Sequence, residues 1–313
     1  MARILANLKG VEHAEWLEKR LSGIGGSEAA AACGVDKYMS KLELWARKTG
    51  RWNSENECNS ERIRLGRDLE YYIAKRFSEA TGKEFRVSDA MYMHDEFDCI
   101  IADLDGVIVG ENAGLECRTV NSAFEKLPEK FEELPRNLLA QCYHYLAVMN
   151  FERIYLALLD LFSGELKIFE IPFDEKKCAA LLECELRFWN DHVMADIRPR
   201  PDGSDSADEA LKRLAKPICE EPIDFEIYSE SVGELYGLRQ KIKEFEVRER
   251  VLRQELIDAL DGNSNAFTEK FRINFTRQSR KILDQKLLKE NHAEIFRECL
   301  RESPADILKI SEI

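Results

Sequence analysis

The sequence lacks any apolar run that approaches the roughly 20 residues needed to span a bilayer. Its N-terminal stretch MARILANLKGVEHAEWLEKR is charged throughout, so the apolar core of a signal peptide is missing as well. Because neither feature is present, we expect a soluble cytoplasmic protein without membrane contact.

Paired cysteines are also lacking, although the chain contains nine cysteines in all. They are scattered and odd in number, and none stands in a CxxC pair, which argues against a disulfide framework. The lack of local ligand pairs likewise disfavours structural zinc and iron–sulfur sites. We therefore expect reduced cysteines that behave as small, mostly buried apolar residues.

Positive charge is in deficit, and the formal net charge is −13. This excludes a surface coated in basic residues for non-specific DNA binding, whereas a locally basic groove remains compatible with the sum. The stretch 270–289 is strongly basic, and two interpretations of it stay open, a contact with DNA and, as the default for such a run, a solvated charged face.

Internal repeats and long low-complexity tracts are absent, so domain boundaries depend on short breaks rich in proline, glycine and acids. The best of these is 197–209, and a second break contains Pro217 and Pro222. We predict a main domain over residues 1–200, a linker over 201–224 and an appended region over 225–313.

The apolar spacing of the main domain changes from helical to β-like and back. Helices are predicted over 27–33, 40–49, 61–80, 135–149 and 174–195, and strands over 84–93, 97–103, 106–109, 113–119, 153–160 and 165–171. This order predicts an α/β (α+β) core with a mixed central sheet flanked by helices.

The appended region is predicted to be helical with a small β element. Apolar residues recur at spacings of three and four over 231–261, with Glu249 interrupting the seam. This spacing is typical of a short coiled coil or helical hairpin, and equally of an amphipathic helix packed on its own domain.

Two neighbouring predicted strands each end in a carboxylate, Asp105 in DLDG and Glu116 in LECR. Side by side at a sheet edge, they would suit Mg²⁺, which prefers hard oxygen ligands and takes only one or two protein carboxylates. Arg118, two residues on, would share the strand face of Glu116. Glu70, Asp95 and Asp103 are further acids, each of which alone is typical of a solvated charge.

Two other groups of residues suit phosphate chemistry. Ser27 is a candidate N-cap behind a glycine pair, and a helix N-terminus with Arg20 nearby favours a phosphate. Gln141 and Tyr145 are four apart on a predicted helix and share a face. His144 between them is a candidate general base, although such a histidine is more often structural.

Four stretches, taken in order over residues 20–160, carry a resemblance: RLSGIGGSEAAAACGVDKYMSKLELWARKTG, RLGRDLE, ADLDGVIVGENAGLECRTV and AQCYHYLAV. They resemble the YqaJ-type viral recombinase family, to which phage lambda exonuclease is related, within the PD-(D/E)xK nuclease superfamily. The resemblance implies a restriction-endonuclease-like core.

The resemblance also implies roles for single residues. Asp105, Glu116 and the backbone carbonyl of Cys117 would bind catalytic Mg²⁺, for which Mn²⁺ is an expected substitute, with Asp95 and Glu70 as supporting acids. Gln141 matches a glutamine near the family's active site. Arg20 and Ser27 fall where the family binds the 5′-phosphate of the digested strand.

The activity implied is metal-dependent 5′→3′ digestion of double-stranded DNA ends in a bacterial or phage-infected cell. The partner implied is a single-strand annealing protein, and the assembly a homo-oligomeric ring, commonly a trimer.

Two departures keep other functions open. Leu104 replaces the motif proline, a minor change, and Arg118 replaces the motif lysine. Because arginine cannot hand over a proton, a DNA-end binding protein with a weakened metal site is the alternative. An oligomeric interaction protein built around 231–261 is a third hypothesis.

Overall fold

The structure is a computed structural model that describes residues 2–7, 13–52, 61–123, 126–301 and 307–311. The chain divides into two compact units, Met1–Pro217 and Ile218–Ile313. Among the residues described, none of the helices is long and apolar enough to cross a membrane.

The first unit contains nine described strands in two sheets. The strands are β1 Arg3–Asn7, β2 Ile24–Gly25, β3 Phe85–Val87, β4 Ala90–Met93, β5 Ile100–Asp103, β6 Gly106–Ile108, β7 Ala113–Val120, β8 Arg153–Asp160 and β9 Leu166–Pro172. One sheet has the order β1-β4-β5-β2 and the other β3-β6-β7-β8-β9. Strands β7 and β8 are parallel and their other neighbours antiparallel, so the larger sheet is mixed.

Helices of this unit cover the sheets. They are α1 His13–Leu21, α2 Ala29–Cys33, α3 Lys41–Lys48, α4 Glu61–Thr81, α5 Arg136–Met149, α6 Glu175–Phe188 and α7 Asp205–Arg213. A turn of π-helix over Trp189–Met194 extends α6. The predicted mixed α/β class is confirmed.

Strand β8 separates two apolar cores, because its side chains alternate between the faces of the sheet. Ile154, Leu156 and Leu158 belong to the larger core. Tyr155, Ala157 and Leu159 belong to the smaller one, with Ile73 and Phe77 of α4. A strand buried on both faces reads as a continuous apolar run, as RIYLALLD does.

Its parallel neighbour β7 is divided in the same way. Leu115 and Cys117 lie in the smaller core beneath α4. Alternation turns the side chain of Glu116, between them, to the opposite face, where α5 packs. The sheet therefore carries a carboxylate into the interior of the unit.

The predicted boundary of the first domain needs correction. Helix α7 lies inside the predicted linker 201–224, and its Ala207 and Ala210 are buried. Ser206 donates to Glu43 of α3 at 2.5 Å, and its hydroxyl accepts from the backbone N–H of Ser40 at 2.8 Å. The first unit therefore extends beyond residue 200 to Pro217, because this helix completes the packing of α3.

The predicted strand over 84–93 also needs correction. It is two strands, β3 and β4, which join different sheets, and the chain crosses between those sheets again after Asp103. Helix α4 and the hairpin of β8 and β9 match their predictions closely, with Gly164 at the turn at a φ of +73°.

The second unit confirms the predicted helical C-terminal region. It contains α8 Ser229–Ala259, the antiparallel pair β10 Asn265–Phe267 and β11 Arg272–Asn274, then α9 Gln285–Asn291 and α10 Ala293–Glu298. The long polar helix predicted over 231–261 corresponds to α8.

Packing of α7 can be tested with Ala210→Leu. The larger side chain has no room in the buried site, so overpacking should lower the free energy of unfolding by about 1–3 kcal/mol. All four tryptophans of the sequence lie before residue 200, so urea unfolding followed by tryptophan fluorescence reports on the first unit.

The matched control is Lys212→Leu, on the exposed side of the same helix, which should leave the transition unchanged. Equal midpoints for Ala210→Leu and wild type would mean that α7 is part of a linker after all.

Candidate active site

A cavity of about 440 Å³ opens where the two sheets meet α1, α4 and α5. Its lining residues are Trp16, Arg20, Ser27, Arg67, Glu70, Val87, Ser88, Asp103, Leu104, Asp105, Glu116, Arg118, Gln141 and Tyr145. A second cavity adjoins it and shares Ser27, Arg67, Glu70 and Arg118, and Cys117 and Thr119 extend its wall. Most of the predicted site residues therefore meet in one place.

Asp105 reaches this cavity because the chain bends between β5 and β6. Its Oδ2 accepts a hydrogen bond from the backbone N–H of Cys117 at 2.7 Å. The pairing of Gly106 with Leu115 fixes that approach. Asp105 and Glu116 are thus neighbours as predicted, but Glu116 lies in the middle of β7 and not at a strand end.

Glu116 is buried, with only 1 % of its surface exposed. Its Oε1 accepts from Gln141 Nε2 at 2.8 Å and pairs with Arg118 Nη2 at 2.6 Å. Its Oε2 has no hydrogen-bond partner among the described residues. Burial, together with the charges of Asp105 and Glu70, raises the pKa of Glu116 well above its usual value against the opposing effect of Arg118.

Two further carboxyl groups share this environment. Burial raises the pKa of Glu70 to about 7, and the charge of Asp105 adds to the shift. The pKa of Asp105 is also raised, mainly by burial, although Arg118 and the Cys117 amide oppose this. Three acids near one another hold their negative charge at a cost, which a bound cation would offset.

The donors fit a hard divalent cation. Mg²⁺ takes one or two protein carboxylates and completes its shell with other oxygens, and Asp105, Glu116 and the Cys117 carbonyl offer such a set. Arg118 and Gln141 occupy Oε1 of Glu116, whereas the buried Oε2 has no hydrogen-bond partner among the described residues and is therefore the oxygen that a cation would bind. Within the described ranges, no group of three His, Cys, Asp or Glu side chains is placed to hold a metal ion, so an ion here would depend on the two carboxylates, the backbone carbonyl and further oxygens.

The opposite wall of the cavity is positively charged. Arg20 donates from Nη2 to Ser27 Oγ at 3.0 Å and lies 3.4 Å from the carboxylate of Glu28. Lys48, almost completely buried, pairs with the same carboxylate at 2.8 Å and donates to the Arg20 carbonyl at 2.6 Å. Two cations against one acid leave one positive charge in a largely buried cluster.

Burial and mutual attraction lower the pKa values of two members of this cluster, Lys48 and Glu28. Burial lowers the pKa of Lys48 to about 8, although Glu28 opposes the shift. The pKa of Glu28 is lowered, because Lys48 and Arg20 outweigh the effect of its burial. Lys48 and Glu28 thereby hold Arg20 in place.

The glycine pair before Ser27 permits close approach. A Cβ at Gly25 would lie 2.1 Å from Arg20 Nη1, and one at Gly26 would lie 2.5 Å from Tyr145 Cε1. Ser27 itself is not the predicted N-cap. It lies within a 3-10 turn over Gly26–Glu28, which begins after Gly25, and Glu28 reaches back to accept from the Gly25 N–H at 2.9 Å.

Helix α5 links the two walls through a polar chain. Gln141 Nε2 donates to Tyr145 Oη at 3.0 Å, and Tyr145 donates to the Asp103 carbonyl at 2.8 Å. Trp16 Nε1 donates to the Asp103 carboxylate at 2.7 Å. The predicted shared face of Gln141 and Tyr145 is confirmed, and it orients the amide that holds Glu116.

Two predicted residues lie elsewhere. Asp95 is exposed in the turn before β5, whereas the cavity is at the other end of that strand, so the structure does not bring it to the acids. His144 is fully buried between Glu185 Oε1 and the Ile101 carbonyl, each at 2.8 Å. Those partners raise the pKa of His144 despite its burial, and the imidazole has a structural role.

Other cations have different positions. Lys126 and Lys130, near Arg118 in sequence, are exposed and do not line the cavity. Arg67 lines it and Arg64 is exposed, while the side chain of Arg62 lies outside the described residues.

Sequence patterns missed Trp16, Glu28 and Lys48. Their roles arise from burial beside Arg20 or Asp103, and no spacing in the sequence signals it.

Comparisons with known proteins agree on one family. A model described as the YqaJ-like viral recombinase domain matches residues 15–152. "Uncharacterized protein YqaJ" of Bacillus subtilis (strain 168) is 30 % identical over 317 residues, which cover 100 % of this chain and 98 % of that protein.

Solved structures align with this chain at low sequence identity and with TM-scores below 0.5. An alkaline exonuclease (LHK-Exo) from Laribacter hongkongensis aligns with a TM-score of 0.47 and 16 % identity, over 58 % of this chain and 93 % of its own. A phage related exonuclease from Haemophilus somnus 129PT aligns with a TM-score of 0.43 and 10 % identity, over 56 % of this chain and 96 % of its own.

The raised pKa of Glu70 predicts a pH-dependent effect of Glu70→Gln. A glutamate in the unfolded chain ionises near its ordinary pKa of 4.5, whereas the folded one keeps its proton until about pH 7. Wild type therefore loses stability as pH rises through this window, and the neutral amide does not. In EDTA, the Tm of Glu70→Gln minus that of wild type should increase between pH 4.5 and 8.

Glu79→Gln, at an exposed position of the same helix, controls for the loss of one carboxyl group from α4. A Tm difference between Glu70→Gln and wild type that stays constant from pH 4.5 to 8 would contradict the crowding of the three acids.

Proposed function

The chain belongs to the YqaJ-like viral recombinase family, and from that premise we propose that it is a metal-dependent 5′→3′ exonuclease acting on double-stranded DNA. One observation carries the proposal. A buried carboxylate with an unpartnered oxygen lies beside Asp105, in the same cavity as a positively charged cluster around Arg20. Hydrolysis of the last phosphodiester at a 5′ end, as proposed, requires a metal site at the bond that is cut and a positively charged site for the 5′-terminal phosphate.

Asp105, Glu116 and the Cys117 carbonyl would hold Mg²⁺ or Mn²⁺, with Glu70 as the adjacent acid. When bound, such an ion lowers the pKa of a water molecule and stabilises the charge that develops on the phosphate. Asp95 has no part in this proposal, since it lies outside the cavity.

The protein's own groups supply orientation and proton transfer. Gln141 fixes Glu116 through Oε1, which leaves Oε2 for the ion. Glu70 lines the same cavity, and its carboxylate would accept a proton from the attacking water.

Direction of digestion would come from the cluster on the other wall. A terminal phosphate carries up to two negative charges and accepts hydrogen bonds, and Arg20 with Ser27 offers a guanidinium and a hydroxyl. The excess positive charge left by Arg20 and Lys48 over Glu28 favours an anion there. We assign this wall to the 5′-phosphate of the strand being digested.

Arg118 stands in the place of the motif lysine. It stays protonated, so it can neutralise the phosphate but cannot act as an acid. Its 2.6 Å ion pair with Glu116 also favours a second candidate function, a DNA-end binding protein whose metal site is weakened by an internal cation.

The assembly and partner follow from the same proposal. Digestion of one strand leaves a single strand for an annealing protein, and a homo-oligomeric ring, commonly a trimer in the resembled family, would keep the enzyme on the duplex. Phage-type recombination in a bacterial or phage-infected cell is the setting in which we place it.

Digestion of a linear duplex tests the activity. In Mg²⁺ or Mn²⁺, wild type should shorten the strand with a 5′-phosphate from its 5′ end, and more slowly when that end is a hydroxyl. Asp105→Asn should lower the rate by at least a hundredfold, because it removes an anionic ligand without changing shape. Denaturing gels with one labelled strand measure the end from which the strand is shortened and the rate of shortening.

Arg118→Lys separates the two candidates. If wild type cuts, Arg118 serves in catalysis and the enzyme proposal stands. If wild type only binds duplex ends and Arg118→Lys cuts, the protein is the end-binding form. If neither wild type nor Arg118→Lys cuts DNA or binds duplex ends, both candidate functions are refuted.

Metal binding has its own prediction. A ligand that binds the folded state alone raises stability by RT ln(1 + [L]/Kd), so the Tm of wild type should rise with Mg²⁺ or Mn²⁺. Asp105→Asn should abolish most of that rise, whereas Asp98→Asn, an exposed acid near β5, should keep it. A metal-independent Tm in wild type would count against the ion site whatever the nuclease assay shows.

A further inference from the structure

Helix α8 carries an apolar seam, and none of its 31 residues is buried. The seam follows a seven-residue repeat. The first core position of each repeat is occupied by Leu235, Ile242, Glu249 and Leu256, and the second by Leu238, Phe245, Leu252 and Ala259. About half of the surface of Leu238, Ile242 and Leu252 is exposed, and the fraction is 66 % for Phe245.

A single amphipathic helix on its own domain would bury this seam, and α8 does not. A repeat of 3.5 residues keeps one stripe facing a partner helix along its whole length. We propose that α8 forms a parallel, in-register coiled coil with α8 of a second copy of this chain.

Charges beside the seam favour a second copy in the parallel direction. In a parallel coiled coil, the residue immediately before a first core position (position g) lies next to position e of the partner helix. Position e is the partner residue whose number is five higher. Glu234 then meets Arg239 of the second helix, and Lys241 meets Glu246. Both contacts join opposite charges, and each occurs twice by symmetry.

The antiparallel direction is disfavoured by the same residues. With the seams fully overlapped, Arg239 would meet Arg253 of the second helix, Arg248 would meet its own copy, and so would Glu246. Only Lys241, opposite Glu255, would find an opposite charge. Like charges facing one another weaken a helix pair and select against that orientation.

Glu249 interrupts the seam but has local compensation. In the parallel pair its carboxylate lies beside Arg248 of the second helix, because the residue that precedes a first core position flanks that layer. Arg253 lies close to the same layer. Arg248 and Arg253 of the two helices face each other with like charge, but they flank the two Glu249 side chains. Attraction between these arginines and glutamates offsets part of the repulsion between the like charges.

The second half of the seam also forms one wall of an apolar groove of about 740 Å³ within the second unit. Phe245, Leu252 and Leu256 line it from α8, and Ile273 of β11 and Phe275, just after that strand, line the opposite side. A helix of a second copy laid along the seam would cover this groove as well as the exposed apolar stripe.

Disulfide cross-linking of the full-length chain tests the proposal. Leu238→Cys places a thiol at a seam position that faces its own copy only in a parallel, in-register pair. Under oxidised glutathione it should give a cross-linked dimer on non-reducing gels. In the antiparallel pair residue 238 would face residue 256, so no such dimer would form.

Gln240→Cys, on the outward face of α8, is the matched control, and wild type accounts for the native cysteines. Cross-linking of Leu238→Cys at least fivefold above both would support the proposal. Yields equal to those of the controls would overturn it.

Charge reversal gives an independent measure in the Leu238→Cys background. Lys241→Glu or Glu246→Lys alone should slow cross-linking by roughly fivefold, since each converts two ion pairs per dimer into repulsion. The double variant restores opposite charges and should recover the wild-type rate. Failure of the double variant to recover would refute the parallel register.

Discussion

The acid Glu116, carried into the interior by β7, is the constraint on which the rest of the site depends. A buried carboxylate must find donors or a cation, since its desolvation is otherwise unfavourable. Gln141 and Arg118 satisfy one oxygen and leave the other without a partner among the described residues. The groups around this carboxylate are arranged accordingly at an open cavity. They are the polar chain on α5, Asp105 at the bend after β5, and Glu70 of α4.

Charge is arranged oppositely on the two walls of that cavity. The acid wall carries an excess of carboxylates, and the wall around Arg20 has one cation in excess. Such an arrangement suits a substrate with two phosphates. One phosphate would bind to the positively charged wall, and the other would bind to an ion held by the acid wall. The arrangement also makes a net charge of −13 compatible with the DNA substrate that we propose, because a few buried cations concentrate positive potential at one wall of the cavity.

Arg118 gives the site its own character within the family motif. A lysine in this place could shed its proton, whereas the guanidinium remains charged and pairs with Glu116. Any ion that binds must therefore compete with an internal cation, or share the carboxylate with it. The balance between these two positive charges separates the two functions that we propose, an exonuclease and a DNA-end binding protein.

Periodicity and local motifs were sufficient to predict the mixed α/β class, the boundaries of α4 and of the β8–β9 hairpin, and the proximity of Asp105 and Glu116, because they report on neighbouring residues. Only the folded structure shows that Asp95 lies apart from the acids, that His144 is buried against Glu185, and that α7 belongs to the first unit. It also revealed Lys48 behind Arg20. These outcomes depend on which distant surfaces exclude water together, and burial of that kind leaves no spacing in the sequence.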